Sequence, residues 1–309
     1  MFNFKTILLN KMKNRQSIIT NLTNTMLIAT FFSLWLSVYF ENQIENYLAY
    51  FCILSLGILH GANDIKIAQK SKALKNNYNF LSFLLSYLVI MIFVTISFYV
   101  FPSIILITFI VFSAYHFAEQ HWIHKIQESD ILTKLFLLTY GLFVLSILFY
   151  TNAVEVSQIV ETITTIMVGD EVYKVMLIIL SPLLLMLGVK LYLNKKISVS
   201  FVQELFYLLV FFIVFHTASL LWAFAIYFIF WHSIPSLVDQ VFFLYGATKK
   251  EDFYKYLKSS FLYWLVSIIG ILIIYVIFYN QAKLFTAIFF ASLATITFPH
   301  VWVMTKLKK

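Results

Sequence analysis

The sequence predicts an all-α, polytopic transmembrane helix bundle of about ten spans, with both termini in the cytoplasm. Three observations predict it. Of 309 residues, 61% are hydrophobic and 12% charged, with a mean hydropathy of +0.88, whereas a soluble chain carries about 25% charged residues. Apolar runs long enough to cross a bilayer, about 20 residues each, recur along the whole chain. The basic residues fall in the short connections between these runs, and they alternate in side.

The runs lie at about 19–40, 47–67, 78–101, 103–121, 131–151, 173–193, 200–216, 218–240, 259–279 and 284–305. The first is polar at its start, with Asn21, Thr23 and Asn24. Residues 1–16 before it are basic and polar, with Lys5, Lys11, Lys13 and Arg15, and no small-residue cleavage site follows. They read as a cytoplasmic tail ahead of an uncleaved first span. With the N-terminus inside, all of the 22 Lys and Arg residues except Lys174 and Lys283 fall on the cytoplasmic side. That split supports ten spans, and it explains the net charge of +8 by orientation in a bilayer, without a nucleic-acid partner. Connection 152–172 carries acidic residues and apolar residues at helical spacing, which fits an interfacial helix or a solvated loop. No internal repeat or low-complexity linker divides residues 17–309, so they read as one domain. Cys52 is the only cysteine, which excludes an intrachain disulfide and a cysteine metal cage.

The stretch that stands out is HGAND, His60 to Asp64, inside the apolar run 47–67. An imidazole and a carboxylate at membrane depth are costly and mark a functional site. On a regular helix Asp64 shares a face with His60. Of seven histidines, His60, His116, His232 and His300 fall in the inner halves of four runs that all cross from outside to inside. At 1.5 Å per residue they lie within about 10 Å of one another in depth. Four helices of a bundle can deliver them to one metal ion. Asp64, Glu119, Glu204 and Asp239 recur nearby as carboxylates to orient the rings and offset the charge. His216 lies at the outer end of its run and reads as interfacial; His124 falls in a loop; His121, five residues from His116, is ambiguous. A single intramembrane histidine is more often a hydrogen-bonding group or a proton relay, so a proton- or metal-coupled transporter stays as the alternative to a metalloenzyme. Bis-histidine haem binding is a further one.

GILHGAND, YHFAEQHW, FWHSIPSL and TFPHVWV, in that order, resemble the Brp/Blh family of bacterial membrane β-carotene dioxygenases over about residues 50–305. His60, Asp64, His116, Phe117, His232, Ser233, Pro299 and His300 match its motifs. Ala118 replaces a usual Gly, His121 stands where Asp is common, and Ser236 replaces the second His of a His-Ser-x-x-His stretch. The resemblance implies an iron centre, cleavage of the central double bond of β-carotene by O2 to two retinals, and a microbial rhodopsin as recipient of retinal. It also implies a cell (inner) membrane location. An all-histidine site with open positions suits Fe(2+) and O2. With Ser236 in place of His, depth favours His300 as the fourth ligand; His121 or water are the alternatives. Candidates to line a polyene channel are Phe112, Tyr115, Phe117, Trp122, Trp222, Tyr227, Phe230, Trp231, Phe298 and Trp302, all equally explicable as packing.

Overall fold

The computed structural model describes residues 2–71 and 80–306, with side chains from Thr20 to Ser71 and from Phe80 to Thr305. Lys72, Lys75, Lys308 and Lys309 of the expected cytoplasmic set lie outside the described residues, as do the side chains of Lys5, Lys11, Lys13, Arg15 and Lys306.

The described chain forms helices α1 (Phe2–Tyr39), α2 (Asn42–Cys52), α3 (Asp64–Lys70), α4 (Phe80–Val100), α5 (Pro102–Trp122), α6 (Ile131–Thr151) and α7 (Ala153–Thr164). These are followed by α8 (Asp170–Leu193), α9 (Phe201–Thr217), α10 (Leu220–Ile226), α11 (Ile234–Tyr245), α12 (Lys250–Phe278) and α13 (Ala282–Lys306). Two π-helical segments, Ile53–Gly57 and Tyr227–Ser233, continue α2 and join α10 to α11. Among the described residues, eight helices are long and apolar enough to cross a membrane, so this is a multi-pass membrane protein. They account for eight of the ten expected runs. Of the other two, 200–216 forms α9, which is shorter, at 17 residues. Run 47–67 is not one helix. It passes from α2 through a π segment into a turn at His60–Asn63 and restarts as α3. Helix α1 runs from Phe2 through the basic N-terminal residues into the first span. Connection 152–172 resolves as a helix, α7, ended by Thr165 in the left-handed conformation.

Burial sorts the spans. Leu220–Tyr245 is the most buried span and stands at the centre, while α12 is the least buried and presents Leu262, Val266, Ile269 and Ile273 outward. An apolar outer face is what a lipid-facing helix requires. Indole N–H groups of the central span find acceptors on α1: Trp231 Nε1 donates to Thr30 Oγ1 at 3.0 Å and Trp222 Nε1 to the Ser33 carbonyl at 3.3 Å. Outside the spans, Asp130 caps α6 by accepting from Thr133 N–H and meets Lys196 at 2.5 Å. The Lys196 hydrogen bond, then those from Thr133, hold its carboxyl well below the usual carboxylate range. This cap is therefore intact at neutral pH and is lost only in strong acid.

Gly141 of α6 packs directly on the backbone of α5, where a Cβ would lie 1.8 Å from the Ala114 carbonyl oxygen. Only glycine fits there. Gly141→Ala should lower stability by about 1–3 kcal/mol through overpacking. Thermal denaturation in detergent checks this, with Gly270→Ala as control, since nothing lies within 4 Å of a Cβ there.

Candidate metal centre

Four elements deliver the four histidines. His60 opens the turn after the first π segment, His116 lies near the C-terminal end of α5, His232 is in the second π segment, and His300 follows Pro299 in α13. Their rings close a cycle, with centroids 5.1 Å apart for His60–His232, 4.6 Å for His232–His116, 5.3 Å for His116–His300 and 4.8 Å for His300–His60. All four are buried, none more than 5% exposed. Ligand nitrogens of His60, His232 and His300 lie within 4.8 Å of one another. Opposite ligands of one ion at about 2.1 Å sit about 4.2 Å apart, so the spread is near that of a coordination sphere. The rings border a cavity of about 30 Å³ that also touches Gly57, Ile58, Gly61, Phe117, Phe228, Leu293, Ile296 and Thr297. A water needs about 10–15 Å³, so the space is that of an ion with one or two small ligands.

The local geometry follows from the chain. A π turn is wider than an α turn and often marks a functional site. The second one precedes Pro235, which lacks the N–H that an α register would require. It also sets Phe228 and His232 face to face, 5.7 Å apart at 15°. The two π segments touch at Gly57, where a Cβ would meet Phe228 Cε1 at 2.7 Å. The turn at His60–Asn63 is pinned from α12. Tyr256 OH donates to Gln240 Oε1 at 2.7 Å and to the His60 carbonyl at 3.2 Å, and Asn63 Nδ2 donates to the Tyr256 carbonyl.

Hydrogen bonds fix which nitrogens face the cavity. His300 Nδ1 donates to Asp64 at 2.9 Å, and Tyr87 OH donates to the same carboxylate at 3.0 Å. His60 Nδ1 donates to the Gly57 carbonyl. His300 Nε2 and both ring nitrogens of His232 are buried with no hydrogen-bond partner among the described residues. An unmet buried polar atom costs about 1–3 kcal/mol, and a metal ion among the rings satisfies several at once. The donor set, all imidazole with a carboxylate behind one ring, fits a divalent ion.

Asp64 is thus paired with His300 rather than with His60, because the chain unwinds between residues 60 and 64 and no helical face joins them. Glu204 is spent elsewhere, 2.9 Å from His121 Nε2 and accepting from Lys125 Nζ at 2.7 Å. Asp239 accepts from Gln120 at 2.9 Å and lies 3.4 Å from His124. Glu119 is half-buried on α5, three residues past His116. His121 stacks on Tyr140 and pairs with Glu204, while His300 is within the cluster. Ser236, where the resemblance has a histidine, accepts from Gln240 in the Tyr256 network. His216 is exposed.

Residues 51–308 match the family described as beta-carotene 15,15'-dioxygenase. The chain belongs to that family. No curated protein and no solved structure matches it.

Of the expected lining aromatics, only Phe117 borders the histidine cavity of this family member, with its ring 4.5 Å from His232. Tyr227 and Trp231 pack behind it on Phe211, Phe112 pairs with Phe298, Trp302 stacks on Phe83, and Trp122 packs against Phe136. Trp222 bonds α1, and Tyr115 and Phe230 are half-buried. Phe228, Tyr87 and Tyr256 were not read from the sequence, whereas Gly57 and Gly61 lie within the GILHGAND stretch. Phe228 carried a signal, four residues before His232.

His300→Ala should abolish stoichiometric metal binding and His121→Ala should leave it intact, read as metal per purified chain. Asp64→Asn should weaken affinity about 10–100-fold by loosening the His300 ring, read by titration of chelated protein.

Proposed function

We propose that this family member is an iron-dependent dioxygenase of the cell (inner) membrane that cleaves the central double bond of β-carotene with O2, one oxygen atom passing to each of two retinals. The observation that carries this reading is the cycle of four buried imidazoles around one small cavity. The reading assigns Fe(2+) to His60, His116, His232 and His300. Ferrous iron held there supplies the one-electron chemistry that lets O2 react with an alkene.

The protein's own groups do the rest. Asp64 and Tyr87 aim His300, and the Gly57 carbonyl aims His60. Those rings reach the cavity as neutral acceptors, which ligation requires. Phe117 and Phe228 flank His232 and keep water from the reacting bond. Asp64 offers negative charge behind the cluster. In this reading Glu119, Glu204 and Asp239 act at longer range, the latter two through the His121–Lys125 and Gln120–His124 groups that anchor the inner end of α5.

The break in run 47–67 also suits a transporter, whose half-helices meet near the bilayer midplane. The depth of the histidines, toward the lysine-rich side, and membership of a dioxygenase family favour the enzyme.

In a β-carotene-producing host, His60→Ala and His232→Ala should reduce retinal at least a hundredfold, and His216→Ala should leave it within twofold, read by chromatography. Retinal formation by His232→Ala at the wild-type level would sink the assignment. Chelator treatment of the purified protein should abolish activity, and Fe(2+) should restore it.

A further inference from the structure

A second, larger cavity of about 120 Å³ lies between α5, α6, α7, α8, α10 and α13. Its wall is hydrocarbon, made by residues such as Leu106, Leu148, Phe149, Val160 and Phe224. Only two side chains in the wall carry a polar atom. Tyr173 has its hydroxyl 3.3 Å from that of Ser157, which is not in the wall, and Ser113 Oγ is buried with no hydrogen-bond partner among the described residues. Phe117 belongs to both cavities. Its ring, against His232, is the partition between them.

The position matches a purpose. Leu106 and His116 are on the same helix, and about 15 Å separates them at 1.5 Å per residue. That is comparable with half of an extended tetraterpene. The remaining helix beyond His116 is much shorter, so the outer side of the bundle has the room for one half of a long substrate. Helix α7 closes the cavity with Val156, Ile159, Val160 and Ile163, while Glu155 and Glu161 point to the exposed side. An apolar chamber of this kind binds hydrocarbon and rejects polar groups.

We propose that this chamber receives one trimethylcyclohexenyl end ring of the polyene, and that its depth stops the chain with the central double bond at the histidines. Phe117 is then a positioning residue past which the conjugated chain lies. The inference rests on the dioxygenase reading for its substrate. Its chemistry, one apolar ring in one apolar chamber, can be measured without turnover.

The test uses the metal-free full chain in nanodiscs, titrated with β-ionone, which carries the end ring on a four-carbon enone that lies where the polyene would leave the chamber. The expected result is a saturable component of one site per chain. Val160→Trp should weaken it at least tenfold, a ring-hydroxylated β-ionone should bind at least tenfold more weakly, and Val266→Trp on the lipid face of α12 should change neither. Iron-loaded Val160→Trp should retain bound metal and convert β-carotene into two aldehydes of unequal length, whose carbons sum to the substrate. If Val160→Trp does not fold, Phe149→Ala takes its place, with at least a threefold loss of β-ionone affinity expected from the lost contacts. Non-saturable partition alone, or equal affinity in wild type and variant, overturns the proposal and leaves the chamber to lipid acyl chains. Saturable binding with no retinal formed by wild type would remove the dioxygenase reading and leave the ring site standing.

Discussion

A ring nitrogen buried among lipid-facing helices must be met by protein or by an ion, since hydrocarbon offers nothing in exchange. That constraint governs the half of this bundle that holds the four histidines. His300 and His60 each turn one nitrogen to an acceptor, Asp64 and the Gly57 carbonyl. His300 Nε2 and both nitrogens of His232 have no hydrogen-bond partner among the described residues, and the rings of His60, His232 and His300 all border the cavity. Much of the surrounding structure follows from keeping those rings in register.

Regular α-helices do not bring the rings together here. The path through His60 leaves the helix, and the path through His232 widens into a π turn. Both distortions expose backbone groups that must be satisfied. In the first, short-range bonds do so, from Gly61 N–H to the Ile58 carbonyl and from Asp64 N–H to the Gly61 carbonyl, while Tyr256 covers the His60 carbonyl. In the second, the proline three residues after His232 removes one donor from the problem. The polar residues of this region, Asn63, Ser236, Gln240, Tyr256 and Ser259, are therefore a scaffold for an unwound turn, joined by hydrogen bonds across three elements. Deleting one of them acts on His60 indirectly, through the backbone.

Much of this was legible in the sequence, and the reason is physical. Hydrophobic length and lysine placement are strong signals in membrane proteins, so eight spans and their order were readable. Depth along a helix is also readable, since it needs only the rise per residue; it grouped the four histidines and set His216 apart. Partners across helices were not readable. Asp64 looked like the companion of His60 because the pattern was judged on an unbroken helix, and it belongs to His300, 236 residues away. Tyr87 and Tyr256 carry no mark in the sequence that separates them from other interfacial tyrosines. Ser236 read as a missing ligand, whereas its hydroxyl has a role in the Tyr256 network.

The first span raises a related point. The family match starts at residue 51, beyond α1 and most of α2, which on sequence grounds makes α1 an addition to the conserved unit. Its contacts argue otherwise for this chain. Trp231, adjacent to His232, is buried and has an indole N–H that lipid cannot satisfy; Thr30 accepts it, and Thr30 is in turn tied to the Met26 carbonyl at 2.8 Å. Trp222, two and a half turns earlier on the same central span, is held by Ser33. Glu45, from the part of α2 outside the match, accepts from Ser219 N–H at the start of α10. The central span is thus braced at three levels by residues that precede the matched region. A helix that supplies acceptors to buried donors is part of the folded unit, because its removal would leave each donor unmet in an apolar setting at about 1–3 kcal/mol apiece.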